Sequence, residues 1–178
     1  MKKSVNLYFI NGLDTKDKLD EIKKCGFDEF FTGIDDTNET LTLNEQVEYA
    51  KKIGLGLTMV HCFYDESILD SFWLEGEEGE QICNSYIKQI EQCGKLTNNF
   101  VVHLNSSCES KTSTIGLQRI KKMLKVCQKF NTNLCIENLY SDQEIPYIFQ
   151  NIKHKNLKIC FDYGHHNFLT PKFDIITA

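Results

Sequence analysis

The chain has 178 residues, 41% apolar and 25% charged, with a formal net charge of −5. This is the composition of one globular domain with a real core. It lacks the basic excess that gripping a phosphate backbone requires, so nucleic acid is not an expected partner. No apolar stretch approaches the ~20 residues of a membrane span, and the polar start Met1-Lys2-Lys3-Ser4 leads into too short an apolar run for a secretory leader. A cytoplasmic protein is expected.

Val5 to Ile10 reads as a strand buried on both faces. Lys16 to Cys25 carries Leu19, Ile22 and Cys25 at helical spacing, and Gly26 stands where a left-handed stop belongs. Phe27 to Phe31 is the second strand. Leu43 to Ile53 is the second helix, closed by Gly54, and Leu55 to Val60 is the third strand. The junctions Lys23-Lys24-Cys25-Gly26-Phe27 and Lys51-Lys52-Ile53-Gly54-Leu55 follow one recipe. Lysines favour the negative helix end, glycine supplies the stop and an apolar residue opens the strand.

The longest irregular stretch is about Cys62 to Gly79. It holds Phe63, Trp73 and the start of an acidic run from Glu75 to Glu80, which is read as a solvated loop. Glu80 to Leu96 then forms a helix, and Phe100 to His103 the fourth strand. Thr112, Ser113 or Thr114 caps the next helix, whose Leu117, Ile120, Leu124 and Cys127 face inward. Asn133 to Ile136 is the fifth strand. A short helix from about Asp142 to Asn151 tolerates Pro146 only near its start, and Leu157 to Phe161 is the sixth strand. The tail Phe173-Asp174-Ile175-Ile176 could begin a helix or pack across an open edge.

Strand–helix alternation, five times and then a sixth strand, predicts an α/β protein with a parallel sheet and right-handed crossovers. One domain over residues 1–178 is expected. Two features favour a (β/α) TIM-type barrel over an open doubly wound sheet. No Gly-x-Gly-x-x-Gly follows the first strand, where Ile10-Asn11-Gly12-Leu13-Asp14 stands. The polar residues at strand ends also spread round a rim instead of gathering at one switch point.

Those strand ends carry the chemistry. The third, fourth and fifth apolar runs end on His61, His103 and Glu137, and the sixth on Asp162 with His165 three residues on. In a parallel barrel the carboxyl ends of the strands share the face where active sites lie. Each residue also has a plain alternative: Glu137 solvated or paired with a lysine, Asp162 as a turn or N-cap residue, the histidines bonded to nearby backbone. Trp73 and Phe63 could stack on a ring of a bound ligand or simply anchor their own loop. The eight cysteines show no Cys-x-x-Cys spacing, so buried free thiols are expected, with only Cys62, beside His61, a weak candidate for a functional thiol.

His61, His103, Ile136-Glu137-Asn138 and Phe161-Asp162-Tyr163-Gly164-His165, in this order, resemble the xylose isomerase-like barrel superfamily of sugar and sugar-phosphate isomerases and epimerases, related to the apurinic-site endonucleases. The resemblance implies a divalent metal ion (Mn, Mg, Co or Zn) bound by Glu137 and Asp162. It implies Glu137 as the base at the carbon next to a carbonyl, and a small carbohydrate or sugar phosphate contacted by His61, His103, Asn138, His165 and Trp73. The family's barrel has eight strands and roughly 200 residues or more, so an incomplete barrel of about six is expected here. A strand-seven histidine and a strand-eight glutamate have no counterparts. An inactive chain is compatible with that shortfall, as is a homo-oligomer that covers the open edge. The alternative readings are an endonuclease-like metal-dependent phosphodiesterase and a non-catalytic remnant that binds a sugar or a partner protein.

Overall fold

In the computed structural model, residues 1–9, 12–34, 39–109 and 111–169 are described. Six parallel strands alternate with helices. The strands are β1 (Ser4–Asn6), β2 (Glu29–Gly33), β3 (Gly56–His61), β4 (Asn99–Val102), β5 (Asn133–Glu137) and β6 (Leu157–Cys160). The helices that follow them are α1 (Thr15–Lys24), α2 (Leu43–Lys52), α3 (Glu77–Cys93), α4 (Thr114–Phe130), α5 (Glu144–Asn151) and α6 (Tyr163–Phe168). The sheet order is β1-β2-β3-β4-β5-β6, every neighbouring pair parallel, which leaves β1 and β6 at its two edges. This is an incomplete TIM-type barrel, as expected from the alternation. The tail reading at Phe173–Ile176 lies outside the described residues, and so does Ile10.

The two lysine–glycine junctions close their helices as the sequence predicts. Gly26 and Gly54 take φ of +80° and +72°. At each, two backbone bonds reach back into the last turn, Gly26 N–H to Lys23 O and Phe27 N–H to Ile22 O, then Gly54 N–H to Lys51 O and Leu55 N–H to Ala50 O. Asn131 does the same work at the end of α4 with φ 56°. Asparagine tolerates the left-handed region well enough to substitute for glycine there.

Four expectations shift. The first strand is shorter than Val5 to Ile10, because a 3-10 helix at Leu7–Phe9 takes over after Asn6. The stretch after His61 is not wholly irregular: Glu66–Trp73 is a 3-10 helix. The next helix starts at Glu77, not Glu80, with Glu77, Glu78 and Glu80 in its first turn, where acidic groups complement the helix dipole. Glu80 is therefore no loop residue; it pairs with Arg119 and Lys122 of α4. His166 is half-buried with its ring 5.4 Å from that of Phe161. Among the described residues no helix is long and apolar enough to cross a membrane.

The main core lies between β3–β6 and helices α3, α4 and α5, with Phe100, Ile136, Ile120 and Trp73 buried in it. A smaller cluster of Leu7, Leu19, Ile22, Phe30, Ala50 and Leu55 seals β1–β3 against α1 and α2. Trp73 fixes one feature of α4. A Cβ on Gly116 would fall inside the Trp73 ring. Gly→Ala within a helix ordinarily gains up to ~1 kcal/mol. Here Gly116→Ala is expected to lose about 1–3 kcal/mol through overpacking, read as a lower urea midpoint; a gain would show that the ring has room to move.

Candidate functional site

Parallel pairing brings the carboxyl ends of β3, β4, β5 and β6 to one rim, and each strand delivers its terminal polar side chain there. His61 ends β3 and Glu137 ends β5, while His103 follows β4 directly. Asp162 sits between β6 and α6 as the N-cap of that helix, its Oδ1 accepting from His165 N–H at 2.7 Å. Capping was the plain reading of Asp162, and it holds. The same residue nevertheless faces Glu137: ligand atoms of Glu137, Asp162 and His165 lie within 4.8 Å of one another, as do those of His61, His103 and Glu137. The five residues expected at one mouth are therefore gathered, with Glu137 common to both groups.

The hydrogen count at the first group is informative. His61 Nδ1 lies 3.1 Å from the Cys62 carbonyl oxygen, an acceptor, so the ring hydrogen belongs on Nδ1 and Nε2 presents its lone pair. His103 Nε2 is 2.9 Å from that atom and 2.7 Å from Glu137 Oε2. Oε2 is itself 3.3 Å from His61 Nε2. With the Nδ1 hydrogen on His61, one hydrogen remains in this cluster, on His103 Nε2, facing the lone pairs of His61 Nε2 and Glu137 Oε2. Such a donor set, two imidazoles and a carboxylate, suits a divalent cation of the zinc type, which all three would hold once His103 carries its hydrogen on Nδ1 and offers the Nε2 lone pair. His165 is set differently. Its Nδ1 is 3.1 Å from the Asn138 carbonyl oxygen and 3.3 Å from Glu137 Oε1, so it donates there and leaves Nε2 bare.

Burial would raise the Glu137 carboxyl, but the bonds and charges of His103 and His61 outweigh it and bring the group to about 2. Burial holds the His103 imidazole below its ordinary value, against the opposing pull of Glu137. The pair is thus a carboxylate beside a neutral ring. Tyr86 of α3 fixes the strand end from behind, its hydroxyl donating to the His103 carbonyl at 2.7 Å.

Two expected contacts are placed elsewhere. Trp73 is 1% exposed, its ring packed against Phe72 and Tyr147, and its indole N–H donates to Glu144. The 3-10 helix turns this large apolar ring into the core, where burying it is worth more than a contact at the rim. It is not available to a substrate. Asn138 is 3% exposed, and its amide is spent on the backbone of Asp162: Nδ2 donates to the carbonyl at 3.0 Å and Oδ1 accepts the N–H at 2.7 Å. It locks the β5 and β6 ends together instead of reaching a substrate hydroxyl. Cys62 is 1% exposed and burial pushes its thiol well up, which speaks against a reactive role.

Sequence reasoning missed Tyr64, whose ring centroid stands 4.6 Å from that of His103 and 6.2 Å from that of His61. It also missed Asn105 and Tyr140, which with Tyr64, His103 and His165 line a hollow of about 120 Å³. Their positions, three residues past a strand end, were the available signal. The hollow is below the ~300 Å³ of a typical ligand cleft, so these residues form one wall of a site and not its full enclosure. A larger hollow of about 390 Å³, between Gly33, Thr42, Gln46 and Gln92, touches none of the rim histidines.

A parallel (β/α) layer with histidines and carboxylates converging at its carboxyl edge defines a TIM-type barrel protein with a candidate metal centre. The chain belongs to the xylose isomerase-like TIM barrel family, whose sequence profile matches residues 19–177. No curated protein sequence matches it. Among solved structures it is similar to the D-psicose 3-epimerase of Clostridium cellulolyticum H10 (TM-score 0.72, 19% identity, 94% of this chain and 65% of that one). It is also similar to the 3-keto-D-glucoside 4-epimerase of E. coli (0.70, 17%, 94% and 71%). A third is an IolI protein with a bound zinc atom (0.69, 15%, 89% and 62%). At these identities the likeness concerns the fold. The chain spans about two thirds of the length of these relatives.

Proposed function

We propose that this chain holds a divalent metal ion at Glu137 and Asp162, beside His61, His103 and His165, and takes a small carbohydrate or sugar phosphate in the manner of the sugar isomerases and epimerases. The observation that carries the reading is the gathering of the ligand atoms of Glu137, Asp162 and His165, and of those of His61, His103 and Glu137, each set within 4.8 Å. The metal-bound IolI relative and the two epimerases support it. Held near 2, Glu137 is ionised but a feeble base. A bound ion supplies what is lacking, by polarising a ketose carbonyl and acidifying the C–H beside it. Glu137 then takes the proton, the bare Nε2 of His165 accepts a sugar hydroxyl, and the ring of Tyr64 offers an apolar face.

Exchange of that proton needs only the one carboxylate, whereas inversion at carbon needs a second group on the opposite face. The test therefore reads exchange. With Mn2+ present, deuterium from solvent enters a ketohexose next to its carbonyl, and Glu137→Gln slows this by at least ~100-fold. Equal rates in parent and variant would remove Glu137 as the base. The sharing of Glu137 by two ligand groups favours a second reading, a two-cation phosphodiesterase. Calorimetric titration giving two ions per chain, with cleavage of a bis-aryl phosphate, would select it over the first.

A further inference from the structure

We propose that Glu144 is a proton-dependent clasp, a positioning residue that holds three segments round the site while its carboxyl is neutral and releases them when it is charged. This goes beyond the sugar reading and does not depend on a metal. Glu144 stands in the first turn of α5 and is 2% exposed. Its Oε2 accepts the indole N–H of Trp73 at 3.1 Å and the side-chain amide of Asn105 at 2.7 Å. Asn105 Oδ1 in turn accepts the backbone N–H of Tyr140 at 3.3 Å. One carboxyl thus joins the 3-10 helix Glu66–Trp73, the segment after β4 and the segment after β5. Asn105 and Tyr140 line the hollow beside His103 and His165, so a movement of the clasp moves that wall.

The geometry fits a neutral acid better than an anion. Both bonds fall on Oε2, and Oε1 is buried without a partner. An anionic oxygen in that place is shut off from bulk solvent and lacks a protein donor, a costly state. The titratable groups acting across the clasp are Asp70 from the 3-10 helix and Tyr86 from α3. Asp70 is a carboxylate that accepts from Ser106 N–H and the Ser107 hydroxyl, and it adds a second negative charge to the neighbourhood. The segment after β4 contributes the neutral Asn105, and α5 itself contributes Tyr147, set edge-on to Trp73. Burial, helped by Asp70 and opposed by the Asn105 and Trp73 donors, pushes the carboxyl up to about 7. Above that point the charge is best served by water at Oε1, which the joined segments exclude.

The reporter is built in, because Trp73 is the only tryptophan of the chain. Its emission is expected to change in one step with a midpoint near pH 7, together with faster amide exchange at Tyr140. Glu144→Gln keeps a carbonyl oxygen for both donors and cannot ionise, so the step disappears in it. A residue with a merely structural role would give no such step in the parent. A flat parent profile, or a step that survives in the variant, overturns the proposal. Should the variant fail to fold, the carboxyl carbon-13 resonance of Glu144 in the unmodified protein decides. A midpoint near 7 supports the clasp, and one in the ordinary carboxylate range overturns it.

Discussion

Arg119→Ala is expected to lower the unfolding free energy by about 3–5 kcal/mol, enough to place a domain of this size near the edge of stability. The guanidinium is among the largest fully buried side chains of the protein. Its Nη1 donates to the carbonyls of Phe72 at 2.6 Å, Leu74 at 2.7 Å and Ser71 at 3.3 Å, its Nη2 to that of Gly76 at 3.4 Å, and its Nε to Glu80 at 3.0 Å. These carbonyls end the 3-10 helix and lead into α3; that of Ser71 also accepts the Leu74 N–H at 3.0 Å. Alanine strands them and leaves a void beside Gly79, which packs directly on the guanidinium. Arg119→Lys should recover only part of the loss, since an ammonium cannot fork to so many acceptors. Removing the exposed partner Lys122 should cost under ~1 kcal/mol. Urea titration followed by circular dichroism measures all three; an Arg119→Ala midpoint close to the parent's would mean that water replaces the guanidinium without penalty.

The second large effect belongs to Glu144 and runs opposite to the usual behaviour of a carboxylate. Its folded value is raised from the ordinary 4.5 to about 7, so the folded chain keeps a proton that the unfolded chain has already released. The stability it contributes is full below 4.5 and is lost as pH rises through 7. A shift of this size corresponds to on the order of 3 kcal/mol. The group is wholly buried, so solvent screening does not reduce it. Unfolding the parent and Glu144→Gln at pH 5 and pH 8 isolates the contribution: the parent should lose ~3 kcal/mol more than the variant over that interval. Equal losses would place the carboxyl at its ordinary value. Glu137 has the reverse sign: drawn down to about 2, it stabilises above 4.5 and ceases to do so as pH falls toward 2.

Much of the site was legible because strand ends are. His61, His103 and Glu137 each terminate a short apolar run, and a parallel sheet puts such ends on one edge whatever the loops do. Asp162 followed from its place at the end of the sixth run, and His165 from standing three residues on in the Asp-Tyr-Gly-His element. Side-chain direction in the connecting segments was not legible. Trp73 falls in a stretch without periodicity, so nothing in its neighbours indicated that a 3-10 helix would turn it inward. Asn138 immediately follows a predicted site residue, but whether its amide faced a ligand or the next strand depended on where Asp162 came to rest.

The amino-acid order alone thus determined the alternation of strands and helices, the left-handed stops at Gly26 and Gly54, and the rim on which five polar side chains meet. Those follow from local backbone sterics and from the repeat of apolar runs, which neighbours in sequence settle between them. Only the tertiary structure decided that His61, His103 and Glu137 share one hydrogen, that Arg119 gathers the carbonyls of Ser71 to Gly76, and that Glu144 lies buried with one oxygen unbonded. Each depends on residues more than thirty positions apart coming together. Its energy depends on distance and on the exclusion of water, and neither exists until the layers have packed.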